Sequence, residues 1–586
     1  EQVQLVMLSA TIATPNKFAE WIESIHPESQ KKVVLCETSQ RAVPLNHYMW
    51  LTAIDSAFHS KNVSMVNMMN DSCNKLVPLF NEKDGFSEKN YKIISDVHYH
   101  LRTNHHIKRQ HTLNKVVDHL KKNEMLPAIC FVYSRKNVEK FAKELTHNLN
   151  DSLMMNNVEK ECRSILKRFP NAHEYMGLEE YTTIVKLVEK GIGIHHSGIL
   201  PVFREMIEML FDKGYIKMLF ATETFAVGLN MPTKTVLFTS LKKFDGKEHR
   251  YLLPHEYTQQ AGRAGRRGYD TVGHVIHLSN LFDMPMSTEY KIMLGNVPQK
   301  IVSKLKISYG MVLNCDNPND FVEKSAIQHE IKKELDYLNR GKDEKKNKSE
   351  KLANFISTNL RTSQEVLAKI LEIEETLHFY RNKQRKAKER ELSGLFEENK
   401  FAKQELHYLQ DHKKCNDELR KLEEHCENTE NYVANQITAI QEILNENNFD
   451  DIRKNVARNI KETHSLMMAD VFEKFHLCDA VDLVAFFSCF TNINVGDEIK
   501  LSRPNCESVR AQQLIELAIE RYEHYYDQEC KKNIYSGESY DIHYDITNDV
   551  IEWCDCKTEK ECEAFLVKLQ KDKGVFIGEF VKAILK

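Results

Sequence analysis

Residues 259–268 read Gln-Gln-Ala-Gly-Arg-Ala-Gly-Arg-Arg-Gly. Arg263 and Arg266 follow a glycine at i and i+3, a spacing that near a helix start sets both guanidiniums on one face. A planar guanidinium grips phosphate oxygens through paired N–H donors, which a point-like ammonium does not. Supplied from a second domain, such an arginine neutralises charge that develops as a γ-phosphoryl group transfers. Gln259 opens the run, and Gly262, Gly265 and Gly268 allow close backbone approach. The plainer alternative is an Arg- and Gly-rich turn tied to surface carboxylates.

Phosphate chemistry needs a scaffold, and further polar segments sit where apolar runs end. Residues 220–232 read Phe-Ala-Thr-Glu-Thr-Phe-Ala-Val-Gly-Leu-Asn-Met-Pro. Thr222 closes an apolar run, where its hydroxyl can meet a phosphate, and Gly228 and Asn230 follow on a turn. Strand ends are where open α/β sheets bind ligands. His195-His196-Ser197-Gly198 and Phe131-Val132-Tyr133-Ser134-Arg135 each follow another apolar run. Ser9-Ala10-Thr11 follows one near the start.

The apolar runs at 128–133, 192–195, 218–221, 235–238 and 274–277 alternate with helical patterns, which predicts parallel βαβ units. Residues 3–8 predict a buried parallel strand. Phe18, Trp21, Ile22 and Ile25 predict a helix, and 33–36 a second strand. Residues 37–47 look like a linker. Residues 57–111 look like a polar, irregular surface insertion carrying His98, His100, His105, His106 and His111. Residues 286–335 have a helical, small-domain pattern.

From 340 to 450 the apolar residues fall at heptad spacing. Val366, Ile370, Ile373, Leu377 and Tyr380 form one series, and Val433, Ile437, Ile440 and Leu444 another. This predicts an antiparallel helical hairpin or coiled coil, entered by a turn at Gly341 and the run 342–348. The basic run Lys383, Arg385, Lys386, Lys388 and Arg390 reads as a solvated helix face, with contact to RNA as the alternative. Residues 451–586 return to globular helical patterning, with a buried run at 483–487 and a helix carrying Ile546, Val550 and Trp553.

The 586 residues suggest about three to five domains. With 41% hydrophobic and 28% charged residues the chain is globular and charge-rich. No apolar run approaches the roughly 20 residues that span a bilayer. A net charge of −4 excludes a uniformly basic coat, so any nucleic-acid path is a local groove. None of the 14 cysteines forms a Cys-x-x-Cys pair, and Cys554, Cys556 and Cys562 are wrongly spaced for a zinc knuckle or ribbon. Free thiols in a reducing compartment are expected. The first residues lack an initiator Met and a basic signal-peptide region and open in an apolar run, as expected of a chain cut inside a domain.

Taken in order, Ser-Ala-Thr, Phe-Val-Tyr-Ser-Arg, His-His-Ser-Gly, the 220–232 segment and the 259–268 segment resemble motifs III, IV, IVa, V and VI of superfamily-two helicases. The wording resembles the superkiller-like DExH helicases that feed RNA to the exosome. Arg41-Ala-Val-Pro-Leu-Asn-His-Tyr and Lys243-Phe-Asp-Gly246 look like that branch, and residues 305–314 resemble the entry to its winged-helix domain. The likeness is strong over 1–48 and 115–335, looser over 451–586 and weak over 340–450, where the family carries an arch-like insertion. It implies an α/β RecA-like motor domain followed by winged-helix, helical-hairpin and all-α C-terminal domains. The implied divisions are 1–40, a remnant of a first RecA-like domain; 41–285, the second; 286–340, the winged helix; 341–450, the stalk; and 451–586, the helical C-terminal domain, expected to stop short. By the same likeness Gln259, Arg263 and Arg266 face ATP, and Gly228 and Asn230 sit against the nucleotide. Ser9 and Thr11 couple ATP to RNA. Ser134, Arg135, Gly198 and Thr222 hold the RNA backbone. Residues 239–255 look like the family's strand-separating hairpin.

One departure is large. No Gly-x-x-x-x-Gly-Lys-Ser/Thr and no DExH occur in the chain. Those elements cradle phosphates and hold Mg²⁺, and in the family they precede Ser-Ala-Thr. The expectation is therefore half of an ATP- and Mg²⁺-dependent 3′-to-5′ RNA helicase, inactive alone. It would act inside the cell, in cytoplasm or nucleus and away from membranes, on single-stranded RNA and on duplexes with a 3′ overhang. An exosome-like or RNA-processing complex is the implied partner. The alternatives are a DNA or spliceosomal helicase and a non-enzymatic, helicase-derived RNA-binding scaffold.

Overall fold

Runs such as Ala-Ile-Cys-Phe and Met-Leu-Phe-Ala have no polar face to offer water, so they become strands covered on both sides. In the computed structural model every residue of the strands at 128–131, 192–195, 218–221 and 235–238 is buried. The structure describes residues 1–586 except 1–5, 10–11, 26–32, 39–40, 60–61, 227–230, 232, 246–247, 296–298, 302, 316, 324, 492, 494 and 586.

The strands in chain order are β1 Ile12–Ala13, β2 Leu45–Trp50, β3 Leu76–Asn81, β4 Gly85–Phe86, β5 Ala128–Phe131, β6 Ile192–His195, β7 Met218–Ala221, β8 Thr235–Phe238, β9 Lys242–Phe244, β10 His249–Tyr251, β11 Gly273–Leu278 and β12 Gln299–Lys300. An eight-stranded sheet runs β4-β3-β2-β11-β8-β5-β7-β6. From β2 to β6 all pairings are parallel, while β3 and β4 add an antiparallel edge. Flanking helices, among them Arg109–Lys122, Arg135–Glu144, Glu179–Glu189 and Pro201–Asp212, bury apolar stripes against it in one continuous core. This is a RecA-like layering of helices on a mainly parallel sheet.

Several expectations change. The linker reading of 37–47 missed β2, because Asn46, His47 and Tyr48 interrupt its apolar run. His47 is nevertheless buried, hydrogen-bonded through Nδ1 to the Tyr257 hydroxyl at 2.6 Å. The insertion reading of 57–111 also fails. Helices Val63–Ser72 and Glu88–Asn104 flank β3 and β4, and Met69, Ile94, Val97 and Leu101 enter the main core. Their polar neighbours hid a one-sided apolar stripe. Of the strand expected at 3–8, residues 6–8 lie among those described. They form no strand, and Val6 and Leu8 are exposed. Residues 33–36 form none either. The expected helix exists as Pro15–Ile25, with no residue buried.

Between 286 and 340 the described residues form short helices, including Ser287–Leu294 and Tyr309–Asn314, and no antiparallel strand pair that would make a wing. Helix Ala326–Asn359 then runs straight through Gly341 and the lysine-rich stretch, so no turn lies there. It packs antiparallel to helix Ala402–Glu430: Lys345 pairs with Glu418, Ser349 bonds Asn416, and Phe355 lies 4.8 Å from Tyr408. Of the two heptad series, the first lies at the far end of this pair, where Leu367 and Ile370 meet Ala402 and Leu406. The second belongs elsewhere. Ile437, Ile440 and Leu444 pack with Leu466, Leu514 and Tyr525 in a separate helical core. Periodicity revealed two helices and not their partners. In the 483–487 run, Phe486 is buried while Val484 and Phe487 are exposed. Helix Thr547–Asp555 forms as expected, with Ile546 and Val550 buried.

Candidate functional site

The parallel strands are four residues long over most of the sheet, about 13 Å from end to end. Both ends carry residues singled out by sequence. Ser134 and Arg135 follow β5, Thr222 follows β7 and Gly198 follows β6, so they share the carboxyl ends of three neighbouring strands. Ser134 caps helix Arg135–Glu144 by accepting from the Asn137 N–H. Thr222 is buried, its hydroxyl 2.9 Å from that of Thr224, and its N–H bonds the His195 carbonyl at 3.1 Å. Gly198 donates its N–H to His196 Nδ1 at 3.2 Å.

The arginine loop lies at the opposite, amino ends. Ala264 bridges Thr233 just before β8, and the Gly265 N–H bonds the Thr233 carbonyl at 2.6 Å. Gly265 has φ +86°, and a Cβ there would stand 2.6 Å from Val43 Cγ1, so both backbone conformation and space demand glycine. The expected helix start is a helix end. Helix Pro254–Ala261 carries Gln259 and Gln260 and stops before Arg263. The two arginines therefore diverge instead of sharing a face. Arg263 reaches the Ala226 carbonyl, just after β7. Arg266 grips Asp270 through Nε at 2.8 Å and Nη2 at 2.9 Å, and its N–H bonds Asp270 Oδ2 at 2.9 Å. The alternative of an arginine tied to a carboxylate is thus realised at Arg266. That hydrogen bonding holds the Asp270 carboxyl below its usual range. Burial pulls Arg263 below its ordinary value.

Three supports were not read from sequence. Arg41 donates through Nη2 to the Gly262 and Ala264 carbonyls at 2.7 and 2.8 Å, and through Nε to the Val43 carbonyl at 2.7 Å. It thereby satisfies acceptors where the helix dipole is negative. The Tyr133 hydroxyl bonds Gln260 Oε1 at 2.7 Å, tying the end of β5 to the same helix. Glu256 occupies the first turn of that helix and clasps the hairpin of β9 and β10. Lys243 and Arg250 approach it at 2.8 and 2.9 Å, and it accepts the Leu253 N–H at 2.8 Å. Burial would raise the Glu256 carboxyl, yet Arg250 and Lys243 overcome it and hold it at about 2. A sequence signal existed for Arg41, within the Arg-Ala-Val-Pro-Leu stretch, and for Tyr133, within Phe-Val-Tyr-Ser-Arg, and none for Glu256.

The hairpin expected in 239–255 is present, pairing Lys242 with Tyr251 and Phe244 with His249, and Phe244 is exposed. Gly246 lies outside the described residues, as do Thr11, Gly228 and Asn230. Ser9 is described and exposed, in no regular element. The arginine loop offers guanidiniums and backbone groups, a donor set that fits phosphate oxygens rather than a metal ion.

Residues 172–268 match the family model described as the helicase conserved C-terminal domain. The chain is 32% identical over 329 residues to Superkiller complex protein 2 of Homo sapiens, an alignment covering 54% of this chain and 25% of that protein. It is 41% identical over 208 residues to Antiviral helicase SKI2 of Saccharomyces cerevisiae, covering 35% of this chain and 16% of that one. It is 34% identical over 339 residues to Exosome RNA helicase MTR4 of Homo sapiens, covering 56% and 30%. The matched part thus spans less than a third of each relative. The parallel sheet, the arginine loop and these relatives together make the chain similar to the superkiller-like helicases of superfamily two.

Proposed function

We propose that this chain is the second motor half of an ATP-dependent 3′-to-5′ RNA helicase that unwinds or feeds RNA for processing or degradation. The observation that supports the reading is that two sets of polar residues, each with an arginine able to grip a phosphate, lie on one sheet. The loop that carries Arg263 and Arg266 joins the amino end of β8 through Ala264, with the Arg263 side chain reaching Ala226 beyond β7, while Ser134, Arg135, Gly198 and Thr222 stand at the carboxyl ends of β5, β6 and β7. In this reading Gln259, Arg263 and Arg266 face ATP, with Gly228 and Asn230 against the nucleotide, and Ser9 and Thr11 couple it to RNA. ATP and Mg²⁺ would be held mainly by a P-loop and DExH motif contributed by an amino-terminal motor domain, so residues 1–586 alone do not turn over ATP. When bound, Mg²⁺ neutralises phosphate charge; the residues here orient the γ-phosphoryl group and stabilise the charge it develops.

The reading divides the chain at 40 and 285, with the short helices after 286 in the winged-helix position, helices Ala326–Asn359 and Ala402–Glu430 as a stalk, and helix Tyr432–Glu446 joining the C-terminal helical domain. The β9–β10 hairpin, with Phe244 exposed, would part the incoming duplex. A relative named as an exosome RNA helicase supports an exosome-like complex as partner, and an intracellular location goes with that reading. Strand separation by the longer protein, preceded by its amino-terminal motor domain, tests the reading. Duplexes with a 3′ overhang should unwind and those with a 5′ overhang should not; equal unwinding of both, or of DNA alone, would overturn it.

A further inference from the structure

Helix Ile577–Leu585 keeps Phe580 in its own helical core and lays Ile577 and Val581 against the core of the sheet, over the carboxyl ends of β5 and β6. Its Glu579 pairs with Arg135. The Gly578 N–H bonds the Gly198 carbonyl at 3.1 Å, and Lys582 Nζ reaches the Ser197 carbonyl at 2.9 Å. The Phe576 ring lies 5.2 Å from that of buried His196. The approach is close: a Cβ on Gly578 would stand 2.5 Å from the Gly198 oxygen. Glu579 meets a basic setting, since Arg135 and Arg204 lie near enough to act on Lys582, which burial and those charges hold below its ordinary value.

A carboxylate and a phosphate present the same two-oxygen face to a guanidinium. We propose that residues 576–585 are a built-in competitor for nucleic acid, with Glu579 standing where an RNA phosphate would meet Arg135. Docking of this helix and RNA contact at Arg135 and Gly198 are then mutually exclusive states, and by linkage each weakens the other equally. The inference rests on the reading that Arg135 holds the RNA backbone. These contacts come from residues 576–582 and meet the segments that follow β5 and β6, so release lifts one short stretch whose Phe580 is tied to its own helical core.

The test is binding of a labelled 20-nucleotide single-stranded RNA to residues 1–586 across a salt series. A partly exposed ion pair predicts that Glu579→Gln tightens binding about two- to fivefold. The plot of log affinity against log salt should steepen by about 0.7, one more phosphate being neutralised. Adding Arg135→Ala should erase both gains. Gly578→Val, which forces the helix away without changing charge, should tighten binding at least as much; hydrogen exchange across 577–585 should also rise when RNA is added to the unaltered chain. If Glu579→Gln changes neither affinity nor slope while Arg135→Ala alone weakens binding, RNA reaches Arg135 with the helix in place; the competitor is then refuted and the RNA reading stands. If neither substitution nor their combination changes binding, Arg135 is no RNA contact and both statements fall.

Discussion

Arg266 lies near the amino end of β8 and Arg135 just past the carboxyl end of its neighbour β5, and each is held by a carboxylate. The carboxylates differ in origin. Asp270 comes from the arginine's own loop, is 4% exposed, and also accepts the Arg266 N–H. Glu579 arrives from a helix more than 400 residues away in sequence and is 19% exposed. Glu256 lies between these extremes: it sits on the helix that leads to Arg266 and clasps the hairpin that precedes it. A local carboxylate preorganises an arginine, because it moves with the loop it braces. A remote one can leave with its helix. The amino-end site is built to be shaped in advance, and the carboxyl-end site is built to be covered and uncovered.

The largest effect should come at Arg266 itself. In the proposed longer protein, Arg266→Ala should slow RNA-stimulated hydrolysis by about 10³-fold or more while RNA affinity holds; a matching loss of affinity would make Arg266 a backbone contact and erase the contrast with Arg135. Next comes its brace. Asp270→Asn loses the paired acceptors and should lower unfolding stability of this chain by about 1–3 kcal/mol in urea melts. A neutral outcome would make the Asp270 pair as dispensable as an exposed one.

The His47–Tyr257–His277 chain bears on the same helix. Tyr257→Phe leaves buried ring nitrogens without their hydroxyl partner, at 2.6 and 2.9 Å, and should cost about 1–3 kcal/mol. Burial pushes His47 down to about 3 and His277 well below its ordinary value, so both are neutral when folded. The unfolded chain takes up those protons as pH falls below about 6.5, and stability should decline from there downward. A stability flat between pH 7 and 5 would argue against two neutral buried imidazoles.

The smallest effect is the acid response of Glu256. Its folded value, about 2, lies below the unfolded value of about 4.3, so its contribution is present above about 4.3 and lost as pH falls toward 2. The difference between the parent chain and Glu256→Gln should shrink across that window. A constant difference would mean that the clasp acts through shape rather than charge.

Much of this was legible in the residues. Continuous apolar runs announced β5, β6, β7 and β8, because a strand covered on both faces has no polar positions. The same rule concealed β2 and the helices around 63–104, whose polar residues face water or, as with His47, find buried partners. Motif text located Arg263, Arg266, Arg135 and Gly198. It misjudged the helix around the two loop arginines, since i, i+3 spacing describes a face only where the backbone stays helical. Nothing local marked Glu579 or Glu256, because a carboxylate's partner is set by tertiary approach. Heptad spacing likewise placed Ile370 and Ile440 on helices but gave no sign that they enter different cores.

The central claim is that this chain carries one half of a nucleotide site. RNA-stimulated phosphate release, measured for residues 1–586 alone and for the longer protein with its amino-terminal motor domain, tests that claim most directly. The account predicts turnover only for the longer protein, abolished there by Arg266→Ala. Robust turnover by residues 1–586 alone would contradict it.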